Sequence, residues 1–265
     1  MVPRGSYLPT RPQSIGEVLD TGFRIFQSTL LGSLPYGVLW VIAGQLANIH
    51  DLAAGRPLRT FGAADRVWWL WSGLGLLLTL LIWTAMILRQ SALASGKASA
   101  LRAELATTLA LVPQLVALAV LAAAGCALGL ILLVVPGVYL FVAFAFAVPA
   151  LLARGSGPLD ALTYCARLVT GNWWRTVFIL AVAAVIVLVL YAVLATTALL
   201  AFTAVGIADL ALVTAISRAV GIALGAVIAP FACAMILATF AELRARREGL
   251  DIESRLGAGP CGAAP

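Results

Sequence analysis

Charge is scarce in this chain: Asp, Glu, Lys and Arg together make 11% of its 265 residues. A soluble domain carries about 25%. Hydrophobic residues make 63% of the chain, too many for it to clothe its surface in water, so part of its solvent is lipid. Histidine is scarcer still. The single His50 has no partner at a metal-ligand spacing and supports no convincing Ser-His-acid set. The zinc-protease HExxH pattern, the P-loop and a GxGxxG after a strand are all missing. Cys126, Cys165, Cys233 and Cys261 form no CxxC pair. Cys126 and Cys233 lie inside apolar runs, where the thiol acts as a small hydrophobe. Metal-dependent phosphodiester hydrolysis wants several carboxylates or histidines together, and the 11 acids are scattered. These absences predict a protein that is not an enzyme and holds no metal or cofactor. The net charge of +6 does not point to nucleic acid, because no basic stripe carries exposed aromatics.

Long apolar runs fill the chain. A spanning helix needs about 20 apolar residues, and six candidates fit: residues 30–49, 67–88, 111–135, 137–153, 174–204 and 219–243. The third and fourth meet at Pro136-Gly137, read as the turn of a tight hairpin. The fourth is short and contains Pro149. Of the 17 Lys and Arg residues, Arg56, Arg59, Arg66 and Arg218 fall on one side of this layout and the other thirteen on the opposite side. That bias predicts cytoplasmic N- and C-termini. Trp68, Trp69 and Trp71 would form the outer aromatic belt, and Trp173 and Trp174 the inner one. Intramembrane charge appears absent: Arg89 and Glu242 fall at helix ends, and Asp209 and Arg218 bound the last loop. Gln45 and Gln114 are the polar residues read as inter-helix glue.

Three amphipathic stretches punctuate the runs. Ser14 and Glu17 form a capping box ahead of a stripe of Ile15, Val18, Leu19, Phe23 and Phe26. Gly157, Pro158 and Asp160 start a second helix with Leu159, Leu162, Ala166 and Val169 on one face and Asp160, Thr163 and Arg167 on the other. Aligning Ser14 with Gly157 places Arg24 on Arg167. A third stretch starts at Gly96 and lacks the acid–arginine pair. The chain thus reads as an all-α membrane domain over residues 7–243. Its three units (14–90, 96–153 and 157–243) each have a cytoplasmic-side interfacial helix leading a hairpin of spans. Residues 1–6, MVPRGS, resemble the remnant of an expression tag; no cleavable signal peptide is read at the first apolar run. Residues 244–265 read as a basic, partly disordered cytoplasmic tail. Arg24, Arg167, Trp173, Trp174 and Arg175 are the candidate lipid-headgroup contacts. The GxxxG pairs Gly125/Gly129 and Gly221/Gly225 are the candidate packing sites, suggesting tight packing of the third and sixth spans.

The stretches RPQSIGEVLDTGFRIFQ, ILLVVPGVYLFVAFAFAVPALLARGSGPLDALTYCARLVTGNWWR and FAELRARREGLDIE resemble a bacterial membrane-domain family named for the glycerophosphoryl diester phosphodiesterases to which some members are fused. The likeness runs over residues 11–253 and is most specific over 136–175. It implies the membrane part alone, without the catalytic barrel and its metal-binding acids. Where that family shows an arginine-rich surface helix, this chain has only Arg167. The expectation is a non-enzymatic protein of the bacterial cytoplasmic membrane that binds or carries a lipid or other amphiphile. The alternative is a scaffold or accessory subunit acting through a protein partner or a homo-oligomer.

Overall fold

The computed structural model describes residues 9, 12–55, 66–97, 100–132, 134–155, 157–205 and 210–247. Among these the chain is all helix: α1 (Ile15–Gly44), α2 (Leu46–Ala53), α3 (Arg66–Ala94), α4 (Leu101–Ala110), α5 (Val112–Leu132), α6 (Val134–Phe144), α7 (Ala147–Arg154), α8 (Pro158–Val169), α9 (Trp173–Val205) and α10 (Leu210–Arg247). Five helices are long and apolar enough to cross a membrane, or six if the bent pair α6–α7 is one span. The chain is a multi-pass membrane protein by this measure. The tag-like residues 1–6, Arg56, Arg59, Cys261 and the tail beyond Arg247 lie outside the described residues.

The first unit departs from the expected layout. The capping box forms: the Ser14 N–H donates to Glu17 Oε2 at 2.6 Å and the Glu17 N–H donates to Ser14 Oγ at 3.3 Å. The helix it starts then runs unbroken for 30 residues, so no separate surface helix precedes the first span. The reason is the register of small residues. Val18, Gly22, Ile25, Thr29, Ser33, Tyr36 and Gly37 are all buried, an i+3/i+4 rhythm that carries one face through without a hitch. The buried stripe is therefore rotated from the expected one, and Phe23 is exposed. At 1.5 Å per residue α1 is about 45 Å long, well beyond a hydrocarbon core of about 30 Å.

α1 is the spine. It packs antiparallel on α10 and also on α3. A Cβ on Gly37 would overlap the Ala226 carbonyl and crowd the Pro230 ring. Pro230 has no N–H, so the carbonyl one turn earlier, on Ala226, loses its usual donor. Glycine lets α1 close over that carbonyl. Across the junction Gln90 Nε2, on α3, donates to the Pro230 carbonyl at 2.9 Å. Gly37→Leu is expected to separate α1 from α10 and cost more than the usual 1–3 kcal/mol of overpacking. Gly73→Leu, at a site where a Cβ meets nothing within 4 Å, should cost nothing measurable. Thermal midpoints from fluorescence-detected size exclusion check the pair.

The second half is built on α5 and α6. A Cβ on Gly129 would come within 2.9 Å of Gly137 Cα, and one on Gly125 within 3.2 Å of the Phe144 ring. Pro136 and Gly137 thus lie inside the first turn of α6 and do not form the expected turn. In place of the expected fourth span stand two helices, α6 and α7, bent by 48° between Phe144 and Ala147. Pro149 falls in the first turn of α7, where its missing N–H is lost to no partner. Gly155, at φ +62°, caps α7 in the left-handed region, which favours glycine.

α8 starts as the sequence predicts, with Gly157 at the N-cap, Pro158 at the first position and Asp160 in the first turn. Its buried face, however, is Ala161, Leu162, Cys165, Leu168 and Val169, while Leu159 is exposed. That face packs on α5, α6 and α7. Gly171, at φ +89°, turns the chain from α8 into α9. The last helix also differs from its expected bounds: α10 begins at Leu210 and runs to Arg247, so Arg218 and Arg244–Arg247 are helical.

Candidate functional site

A cavity of about 1080 Å³ opens where α1 breaks into α2. Its walls come from the end of α1 and the start of α2, from Leu76 to Trp83 on α3, from Tyr191 on α9, and from Arg218 to Gly225 on α10. The break is local. Gln45 leaves helical geometry at φ −98°, ψ 8°, and its N–H is shared between the Val41 and Ile42 carbonyls at 3.2 and 3.1 Å. Trp40 and Trp83 meet at one end with ring centroids 6.1 Å apart. Polar groups gather at the other end. Asn48 Nδ2 donates to Gln45 Oε1 at 2.7 Å, which leaves the Gln45 amide N–H groups and Asn48 Oδ1 toward the groove lining. Among the described residues Arg218 is the sole charged residue of the lining. Leu76 is 71% and Leu52 66% exposed, so the groove is open along its flank.

Two clusters of buried charge lie elsewhere. Glu104, on α4, is 4% exposed. It accepts from Tyr36 Oη and, at 3.2 Å, from Arg89 Nη1. Arg89 Nε donates to the Gly32 carbonyl at 3.0 Å. α4 is inside out for a helix in water: Glu104 and Thr108 are buried while Leu101, Leu105 and Leu109 are exposed. Such a pattern suits a helix with its leucines in lipid and its carboxylate in protein. The second cluster joins three helix ends. Glu242, fully buried, accepts from Arg175 Nη2 at 3.2 Å and from Arg246 Nε. Both arginines also donate to the Gln13 carbonyl.

The candidate headgroup residues are placed apart from the groove, whereas Gln45, Gly221 and Gly225 line it. Arg24 is exposed and pairs with Asp20 at 2.9 Å, whereas Glu17 serves the cap. Arg167 is exposed on α8. Trp173, Trp174 and Arg175 line a smaller recess of about 420 Å³ with Tyr139, Gly171 and Asn172. There Trp173 stacks on Tyr139 at 6.2 Å, Trp174 stays exposed and Arg175 turns inward to Glu242. Trp68, expected in an outer belt, is buried, and Trp71 stacks on His50 at 5.0 Å. Gly125 and Gly129 bring α6 against α5, Gly225 faces Val41 of α1, and a Cβ on Gly221 would meet nothing within 4 Å. The expected link through Gln45 is a contact within one turn of α2. The inter-helix amide is Gln90, which the sequence reading passed over. Arg89, expected at a helix end, lies before the last turn of α3 and pairs with Glu104 in the first turn of α4.

No group of three or more His, Cys, Asp or Glu residues that could hold a metal occurs among the described residues. Burial pushes the Cys165 thiol up to about 12, so it stays protonated at neutral pH. Comparison of the chain with family models, with curated proteins and with solved structures gives no match.

Proposed function

We propose that this protein binds or carries a lipid or other amphiphile in the bilayer and performs no catalysis itself. The observation that supports this reading best is the open groove of about 1080 Å³. It is walled mostly by apolar and aromatic side chains with a few polar groups, among them Arg218, Gln45 and Asn48, the usual form of a ligand site. The bias of Lys and Arg in the sequence supports an orientation with both termini in the cytoplasm of a bacterial cell. From Glu242 to Arg218 α10 climbs 24 residues, about 36 Å against a hydrocarbon core of about 30 Å. In that orientation Arg218 reaches the outer headgroups and the Glu242 cluster the inner ones. α4 and α8 then flank the inner leaflet, with Arg24, Arg167 and Trp174 available to headgroups. The resemblance of residues 136–175 to the phosphodiesterase-linked membrane family agrees with a membrane part that works without a catalytic barrel.

Native mass spectrometry of the gently extracted protein tests the reading. At least one amphiphile per chain is expected to survive gentle extraction. Ile222→Trp and Leu76→Trp, which fill the groove from two helices, should each remove it. Retention unchanged in both variants overturns the proposal.

A further inference from the structure

We propose that the groove takes a net-anionic phospholipid, with its headgroup phosphate on Arg218 and a chain running toward Trp40 and Trp83. The inference rests on the amphiphile reading above and adds the class of ligand. Its ground is the charge of the lining. Arg218 carries a full positive charge, and among the described residues no Asp or Glu lines the groove. Among the described residues Arg218 has no ion pair or hydrogen bond. The nearest described acid in sequence on the groove-forming helix α2, Asp51, is buried beside His50 at 3.6 Å and lies outside the lining.

An unpaired guanidinium beside hydrocarbon is costly unless an anion meets it. The arginine stem can lie along the apolar wall while its head stays at the polar end. A phosphate offers the guanidinium a bidentate partner. The Asn48–Gln45 pair has a donor and an acceptor to spare for hydroxyls on the same headgroup. A zwitterionic headgroup satisfies Arg218 less well, because its own cation finds no carboxylate among the described lining residues. The other end suits a chain: beyond Gly44 the walls include Leu80, Trp83 and Trp40, which present aliphatic and ring surface and no charge.

The test offers phosphatidylglycerol and phosphatidylcholine of the same acyl chains, in equal amounts, to the delipidated protein in mild detergent. Native mass spectrometry then reads the bound ratio. One arginine at headgroup level is worth about 1 kcal/mol, so the wild type should favour phosphatidylglycerol roughly fivefold. Arg218→Gln should bring the ratio to about one with little change in total lipid, and Arg218→Lys should keep a preference. A wild-type ratio near one, or a preference that survives Arg218→Gln, overturns the inference. If in that case Ile222→Trp and Leu76→Trp still lower both lipids, the amphiphile reading stands alone. If neither tryptophan lowers either lipid, the bound lipid is annular, and both readings fall.

Discussion

Glu104→Leu is expected to destabilise the protein by about 3–5 kcal/mol, the usual cost of removing one partner from a buried ion pair. The position of the cluster explains why the cost falls at the upper end. Tyr36 lies 12 residues after Arg24 and 8 before the end of α1 at Gly44. At 1.5 Å per residue that is about 18 and 12 Å along the helix, near the middle of the charge-free part of α1. With Glu104 gone, Arg89 keeps the Gly32 carbonyl and the Tyr36 ring 6.0 Å away but no anion among the described residues, and the buried Tyr36 hydroxyl loses its acceptor. Glu104→Gln preserves shape and an acceptor for Tyr36 but leaves the guanidinium uncompensated, so it should recover little. Tyr36→Phe removes a single bond to a carboxylate and should cost about 1.5–3 kcal/mol. The double variant Glu104→Leu with Arg89→Leu removes both charges and should recover most of the loss, as apolar replacements of buried pairs do. Thermal midpoints in one detergent compare the series. A Glu104→Gln variant as stable as wild type would contradict the charge argument.

The sequence reading and the structure agree where local chemistry decides. Ser14 and Glu17 form their cap, Pro158 and Asp160 start α8, and the apolar runs become long helices. They differ where tertiary contact decides. The buried face of α1 passes through Gly22, Thr29, Ser33 and Gly37, small residues that an apolar pattern does not register, so the 30-residue helix looked like two pieces. The stripe on α8 is rotated for a related reason: Cys165 and Ala161 face protein, and a purely lipid-facing helix would have put Leu159 there. Glu104 finds Arg89 only because α4 folds back beside α3. Arg175 and Glu242 are 67 positions apart, beyond any local rule. Arg218 was assigned to a loop because the apolar run thins before it, yet the helix continues through it and sets it in the groove lining. The candidate site was thus the least legible part, since its walls come from five helices and no motif joins them.

Glu242→Ala is the second large effect expected, and its signature differs from that of Glu104. Glu242 is one carboxylate between two guanidinium groups, so the cluster already carries one positive charge in excess. Its second oxygen, Oε2, and Arg175 Nε have no hydrogen-bond partner. Removing the carboxylate leaves two cations facing each other with only the Gln13 carbonyl between them. A loss of about 3–5 kcal/mol follows, and it should depend weakly on salt because Glu242 is out of contact with solvent. The arginines are not equivalent. Arg246 is an i,i+4 neighbour of Glu242 and the more exposed of the two, at 30% against 20% for Arg175. Arg246→Ala should therefore cost under about 1 kcal/mol, in the range of exposed pairs, and Arg175→Ala more, because it is the less exposed arginine and joins α9 to α10. Since Gln13 immediately precedes the Ser14 cap, Glu242→Ala should also free the start of α1. Amide exchange over residues 14–25 should rise in Glu242→Ala and stay near wild type in Glu104→Leu. If Arg246→Ala proves the most damaging of the three, or exchange at 14–25 is unchanged in Glu242→Ala, the clamp does not hold the helix ends together.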